Sequence, residues 1–250
     1  MIIKTKALVI KEYIVGESDK YITLFTKELG RIQAIAPKAK KVEKGFASGT
    51  QLFVYGDFML TSYKDTYRLV AIDLIEMFHN IRKDITTLSY ASYIMEFIHY
   101  VTQPGLPQQE LLKLTLVTLQ ALNKTSDRYK QIRRVYEIRA LGLLGFMPQL
   151  SSCTECGVVE EKCDNYYFSA QAGGLVCKNC KSEYVDIINI TYSTYYTLQY
   201  ILYSNLKQLY HFEISALIQK ELDLVGDRYV SYYVDKSFKT LDFISKLDVL

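Results

Sequence analysis

Residues 66–98 read TYRLVAIDLIEMFHNIRKDITTLSYASYIMEFI, and the period of their apolar positions changes part-way. The first portion, TYRLVAIDLIEMF (66–78), is β-branched and aromatic, the composition of a strand. The second places Leu88, Ala91, Met95 and Ile98 at helical spacing. Upstream of this switch, KALVIKEYIV (6–15), KYITLFTKE (20–28), RIQAIAPK (31–38) and TQLFVYGDFMLTSY (50–63) repeat the strand composition, with Gly, Ser and Asp between them. Five or so short strands at close spacing predict a small barrel. Downstream, ELLKLTLVTLQALNK (110–124), YKQIRRVYEIRALGLLG (129–145), YSTYYTLQYILYS (192–204) and FEISALIQKELDLVGDRYVSYYV (212–234) carry helical periodicity. VTQPGLPQQ (101–109) reads as a helix-to-helix loop, because proline cannot continue a helix and glycine closes one. The expected fold class is therefore α+β and multi-domain, with a strand-built part over 1–79 and an α-helical part over 80–250.

A chain of 250 residues with 49% hydrophobic content can bury a real core. Its first twenty residues interleave charges with short apolar pairs, so no signal-peptide h-region is expected there. No apolar run approaches the roughly 18–20 residues that span a bilayer. The expected location is cytoplasmic, away from membranes, where thiols stay reduced. The net charge of +3 sits in the first third: residues 1–80 hold twelve Lys and Arg against nine Asp and Glu, while the rest balances at eighteen against eighteen. Such a bias suits a polyanion partner without establishing one.

All five cysteines lie in CTECGVVEEKCDNYYFSAQAGGLVCKNC (153–180). Cys153 with Cys156 and Cys177 with Cys180 form two CxxC pairs separated by residues 157–176, close to the spacing of a four-thiolate zinc site. Each pair makes a tight knuckle with its sulfurs pointing one way, and two knuckles complete a tetrahedron. Gly157 permits the positive φ such a turn needs, and AGGL (172–175) allows a reversal before the second pair. With four thiolates no coordination position stays open, so one structural Zn²⁺ per chain is expected, partly screened by Lys178 and Lys181. A redox pair would need a thioredoxin-like βαβ context that this sequence lacks. Cys163, without a CxxC partner, reads as a free, partly buried thiol.

Taken together and in order, ALVIKEYIVGESDKYITLFTKELGRIQAIAPKAKK (7–41), YEIRALGLLGFMPQLSSCTECG (136–157), YYFSAQAGGLVCKNC (166–180) and DRYVSYYVDKSFKTL (227–241) resemble the RecO family of bacterial DNA repair proteins. The resemblance implies an amino-terminal OB-fold β-barrel followed by an α-helical domain with an inserted four-cysteine zinc module at about 150–184, and no enzymatic activity. It implies binding to single- and double-stranded DNA and annealing of complementary strands. It also implies a recombination mediator that works with RecR to place RecA on strands coated by single-strand-binding protein. Some members lack the cysteines, so zinc is not general to the role. Where the family often carries an AKGAR-like stretch, this chain has APKAKK (36–41), which keeps the positive charge and loses the arginine.

The residues of that stretch point the same way. Arg31, Lys38, Lys40, Lys41 and Lys44 face a single acid, Glu43, between two barrel strands, and OB-folds hold single strands with basic loops and aromatic platforms. These lysines and Arg68 are the candidate DNA contacts; a solvated loop is the plain alternative. Phe46 beside them reads either as a stacking ring or as a core anchor. On the helix 129–145, Lys130, Arg133, Arg134 and Glu137 fall at i, i+3, i+4 and i+7 and share a face, with Ile132, Val135 and Ile138 turned to the core. By resemblance, the helical domain is where the acidic, apolar-ended tail of single-strand-binding protein docks. Lys130, Arg133, Arg134 and Arg139 are the candidates for it, an ordinary charged helix surface being the alternative.

Other features carry little chemistry. His79, His99 and His211 are scattered, and neither GxxxxGK[ST] nor GxGxxG occurs. The twenty-two tyrosines include many at helical spacing, as in 192–204, which predicts core packing rather than stacking platforms. Three function classes compete: a recombination mediator, a zinc-ribbon transcription or RNA-binding factor, and a metal- or thiol-dependent enzyme. The last is disfavoured, because a closed four-thiolate site has no open position and no acid, base or nucleophile accompanies it.

Overall fold

The computed structural model describes residues 1–39, 46–63, 66–124, 127–159 and 165–247. Met1–Ser126 together with Phe238–Leu250 form one compact unit, and Asp127–Ser237 form the other.

In the first unit five strands close into a barrel: β1 (Ile2–Val15), β2 (Asp19–Thr26), β3 (Gly30–Ala36), β4 (Tyr55–Tyr63) and β5 (Thr66–Glu76). Their order is β1-β2-β3-β5-β4, with β4 returning to β1. Only β3 and β5 run parallel, with Ala34 opposite Tyr67 and Ile35 opposite Arg68. This is an OB-like barrel, and its alternation explains it: Ile32, Ala34 and Ala36 of β3 point inward while Gln33 is exposed. Ala7, Val9, Ile22, Leu24, Phe58, Leu60 and Leu69 fill the same interior. At about 1.5–3 kcal/mol per fully buried large apolar side chain, this cluster is the main attraction holding the barrel shut. A register shift between Val9 and Lys11 bends β1 round the barrel. A short helix, α1 (Phe46–Gly49), follows β3, and Phe46 packs against the interior cluster as a core anchor.

Helix α2 (Ile85–Val101) begins where Asp84 accepts the Thr87 N–H at 2.7 Å, a cap that satisfies a free backbone donor. Ala91, Met95 and Ile98 are buried as their spacing predicts, and Tyr90, Tyr93, Ile94 and Phe97 are buried as well. Helix α3 (Gln109–Lys124) follows a loop that presses on the barrel. Gly30 bridges to Pro104 in that loop, and a Cβ on Gly30 would lie 2.4 Å from the Leu106 carbonyl oxygen. With its φ of +64°, position 30 therefore admits glycine alone without rearrangement.

The second unit packs α4 (Tyr129–Leu143) against α5 (Tyr192–Tyr203) and α6 (Ala216–Tyr233). Between α4 and α5 lies a sheet of order β7-β6-β8, built from β6 (Asn165–Ser169), β7 (Gly174–Val176) and β8 (Ile188–Thr191). The expected core role of the α5 tyrosines does not hold. Tyr192, Tyr196 and Tyr203 are exposed, and the buried stripe is Thr194, Thr197, Leu198, Ile201 and Leu202, whose smaller side chains permit closer approach. Helix α7 (Lys239–Leu247) belongs to the first unit and packs on α2. No described helix is long and apolar enough to cross a membrane.

Candidate metal centre and nucleic-acid interface

Cys153 and Cys156 precede β6, and Cys177 and Cys180 directly follow β7. The fold joins the two pairs through backbone: Thr154 N–H donates to the Leu175 carbonyl at 2.8 Å, and Leu175 N–H to the Gln149 carbonyl at 2.9 Å. Within the first knuckle Gly157 N–H donates to the Cys153 carbonyl at 3.0 Å, and Gly157 adopts φ +72°. In the second, the N–H groups of Cys180 and Lys181 both donate to the Cys177 carbonyl, at 3.1 and 3.0 Å. All four sulfurs consequently lie within 4.8 Å of one another.

The donor set and spacing suit a metal. Sulfurs bonded to a tetrahedral ion at about 2.3 Å stand roughly 3.8 Å apart, and the Cys156 and Cys177 Sγ atoms are 3.7 Å apart. Four thiolates in a tetrahedron are the ligand set of zinc or of iron. Backbone donors already favour anionic sulfur: burial pushes the Cys153 thiol up, but N–H groups of Cys156, Cys177 and Glu155 outweigh it and bring the thiol down to about 7. Cys180 moves the other way, held neutral chiefly by its hydrogen bonds with the Cys177 and Cys156 thiols. Four sulfurs this close cannot all ionise together without a cation among them, since neighbouring negative charges repel. The Tyr184 hydroxyl bonds the Glu155 carboxylate, strapping the first knuckle to the chain beyond the second, a residue pair with no signal in the sequence. Lys181 lies over the Tyr167 ring, 4.0 Å from its centroid. Cys163 lies outside the described residues.

On the barrel, Arg31 is half-buried on β3. Its Nε donates to the Thr102 carbonyl at 3.1 Å and its Nη1 lies 3.3 Å from His99 Nδ1, so His99, an unremarkable residue in the sequence, orients it. Burial lowers the Arg31 pKa, and burial with the Arg31 charge lowers that of His99. A cleft of about 670 Å³ opens beside Arg31, Gln33, Tyr67 and Pro104. Lys38 and Arg68 are exposed at the other end of β3, grouped about Asp19, which accepts the Lys38 N–H at 2.8 Å. That hydrogen bond, more than the nearby Arg68 and Lys38 charges, depresses the Asp19 carboxyl. Lys40, Lys41 and Lys44 lie outside the described residues.

On α4, Lys130 is exposed, while Arg133 is 14% exposed and meets Glu137 at 3.5 Å and Asp227 at 3.7 Å. Arg134 does not share the open face of Lys130: it is 2% exposed, with Nε donating to Asp223 at 2.6 Å, Nη1 to Glu137 at 2.9 Å and Nη2 to Asp227. Burial opposes its charge, but the three carboxylates overcome that and raise its pKa. Glu137, 1% exposed, is buried with it. Arg139 is half-buried and caps the end of α5, donating to the carbonyls of Ile201 at 3.1 Å and Ser204 at 3.2 Å. The spacing on α4 correctly grouped Arg133, Arg134 and Glu137; it could not show that α6 brings Asp223 and Asp227 over them.

Comparison with known proteins covers both units. The family model described as "Recombination protein O N terminal" matches residues 1–78, and "Recombination protein O C terminal" matches residues 82–242. A DNA repair protein RecO from Acetivibrio thermocellus is 37% identical over 246 residues, 98% of this chain and 97% of its own. Relatives of the same description from Thermoanaerobacter sp. and Alkaliphilus metalliredigens are 32% and 29% identical, over 98% and 99% of this chain and 98% and 100% of their own.

Proposed function

The chain belongs to the RecO family of DNA repair and recombination proteins, and from that premise we propose that it is a non-enzymatic recombination mediator. It binds single- and double-stranded DNA, anneals complementary strands and, with RecR, helps load RecA on strands coated by single-strand-binding protein. It does so in the cytoplasm, at the nucleoid. The observation that carries this reading is the alignment with RecO relatives along nearly the whole chain.

Residues 1–79 form the DNA-binding domain, in which Arg31, Lys38, Lys40, Lys41, Lys44 and Arg68 contact phosphates. The grouping of Lys38 and Arg68 at one end of β3 supports this, since sequence-independent binding requires cations along the backbone rather than at base edges. Residues 80–250 form the helical part, of which α2, α3 and α7 pack in the barrel's compact unit, and it carries the metal module at about 150–184. Cys153, Cys156, Cys177 and Cys180 hold one structural Zn²⁺, a reading supported by the sulfur spacing and by an environment that favours thiolate at Cys153. Lys130 and Arg133 meet the acidic tail of single-strand-binding protein, while Arg134 and Arg139 position α4 against α6 and α5.

A strand-annealing assay tests the proposal. Two complementary oligonucleotides should pair faster with the protein than without it, without ATP, and pairing should persist on strands coated with single-strand-binding protein. Absence of annealing with either strand form sinks the mediator reading.

A further inference from the structure

Tyr13 and Tyr21 are cross-strand partners on the β1–β2 hairpin, and their rings stack with centroids 5.3 Å apart at an interplanar angle of 7°. Tyr13 is 43% exposed and Tyr21 half-exposed. Further along the same face the barrel is closed, since Thr23 and Phe25 of β2 are fully buried. The open row continues by register: Tyr21 lies opposite Ile35 on β3, and Ile35 opposite Arg68 on β5. Two aromatic rings, one half-buried aliphatic side chain and one exposed arginine thus follow one another across four strands. At about 4.8 Å per strand the row is roughly 14 Å long. Lys38 flanks its basic end through Asp19, and exposed Lys11 stands two residues before Tyr13, on the same face of β1.

We infer that this row is a base-stacking platform for unpaired nucleotides, with Tyr13 and Tyr21 holding base faces and Arg68 and Lys38 holding the attached phosphates. The inference rests on the DNA-binding reading and adds strand selectivity to it. Flat exposed rings accept any base, since every base has a π-face, which suits a protein that must hold arbitrary sequences. A duplex offers its bases edge-on within a stack already complete, so it gains nothing from the rings and binds through phosphates alone. Glu12 and Asp19 lie close by, but Glu12 is paired with Lys20, and Asp19 accepts the Lys38 N–H beside the Lys38 and Arg68 charges. Exposed Glu17 lies in the hairpin turn at the tyrosine end, and Asp19 draws on part of the Lys38 and Arg68 charge, so exposed Lys11, Lys38 and Arg68 leave this face only modestly cationic and the rings must supply much of the single-strand affinity.

The test measures affinity of the full chain for a fluorescent oligothymidine and for a mixed-sequence duplex of equal length, over a salt series. Replacing Tyr13 and Tyr21 together by Leu keeps an apolar cross-strand pair, and replacing them by Phe keeps the rings. The leucine pair should weaken single-strand binding about tenfold or more, leave duplex binding within twofold, and leave the salt slope unchanged, while the phenylalanine pair binds as the unaltered chain does. Single-strand affinity unchanged in the leucine pair, or an equal fall for duplex, overturns the platform and leaves the phosphate-binding reading standing. Absence of salt-dependent binding by the unaltered chain overturns both.

Discussion

Arg134 occupies the space that a side chain at position 226 would take: a Cβ on Gly226 would lie 2.8 Å from Arg134 Cδ and 2.9 Å from its Nη1. Glycine in mid-helix costs α6 about 1 kcal/mol of propensity, and here it lets a guanidinium reach Glu137, Asp223 and Asp227 between two helices. Gly226→Ala should therefore destabilise the chain by about 1–3 kcal/mol despite alanine's better propensity. Urea unfolding checks this, and a stabilised variant would show that the guanidinium can retreat at no cost.

Removing the cation tests the same network from the other side. Arg134→Ala leaves Glu137 buried without its nearest partner and should cost about 3–5 kcal/mol. Arg134→Leu combined with Glu137→Leu should cost clearly less than the single change, since an apolar pair needs no counter-charge. Equal losses in the two variants would mean that the ion pair contributes through packing alone.

The metal prediction turns on which thiols are grouped. Elemental analysis of the purified chain should find one Zn²⁺ per molecule, and Cys153→Ser or Cys177→Ser should lose it, whereas Cys163→Ser should retain it. Hydrogen exchange should then rise across 153–184 and little in α4 and α6, because those helices bury their own apolar and ionic contacts. Metal retained by Cys153→Ser but lost by Cys163→Ser would reverse the ligand assignment.

Phe238 begins the segment that returns to the first unit, and its ring meets Tyr93, Phe97 and Tyr100 at centroid distances of 5.4, 5.7 and 6.2 Å. Glu96 then accepts both the Thr240 N–H and its hydroxyl, at 3.1 and 2.7 Å, at the start of α7. Phe238→Ala should cost about 3–5 kcal/mol, read as a lowered urea midpoint, and Glu96→Gln about 1 kcal/mol. A Phe238→Ala midpoint equal to that of the unaltered chain would show α7 to be dispensable to the unit.

The barrel and the helical half were legible in the sequence because both rest on local periodicity: the alternation in 31–36 and the i, i+3, i+4 pattern in 88–98 survive without knowledge of neighbours. The thiol cluster was legible for a similar reason, since CxxC spacing dictates knuckle geometry. What stayed hidden depends on long-range approach. Nothing near Arg134 announces that α6 covers it, and the tyrosines of 192–204 carry helical spacing although the closest-packed stripe uses Thr and Leu. The Tyr13–Tyr21 pair was in fact readable: GESD (16–19) marks a hairpin turn, and a register centred on Glu17 sets the two tyrosines opposite each other. That signal competes with the ordinary reading of tyrosine as core.

The phosphate contacts predict a salt dependence. Each contact with a single strand adds about −0.7 to the slope of log affinity against log salt, so four lysines contribute roughly −3. Replacing Lys38, Lys40, Lys41 and Lys44 by Ala should flatten the slope by about that amount and lower affinity evenly across sequences. An unchanged slope would move the search to Arg31 and Arg68, and a loss confined to one sequence would count against a protein that pairs arbitrary strands.

The last prediction concerns α4, where burial decides which charges a partner can use. A peptide ending in acidic and apolar residues can reach exposed Lys130, but at Arg133 it competes with Glu137 and Asp227 at 3.5 and 3.7 Å, and at Arg134 it would have to displace carboxylates already in place at 2.6 and 2.9 Å. Charge reversal at exposed Lys130, combined with the neutral change Arg133→Gln, should therefore weaken the peptide, measured by fluorescence anisotropy, by about tenfold as attraction is lost. Annealing of naked strands should change little. Reversal at Arg133 or Arg134 is a poor probe, because a glutamate at either position would add an acid to the group of Glu137, Asp223 and Asp227 and unfold the helix pair first. If Lys130→Glu with Arg133→Gln leaves peptide affinity intact in a folded chain, the tail docks elsewhere; if annealing falls in step with the peptide, this face holds DNA instead.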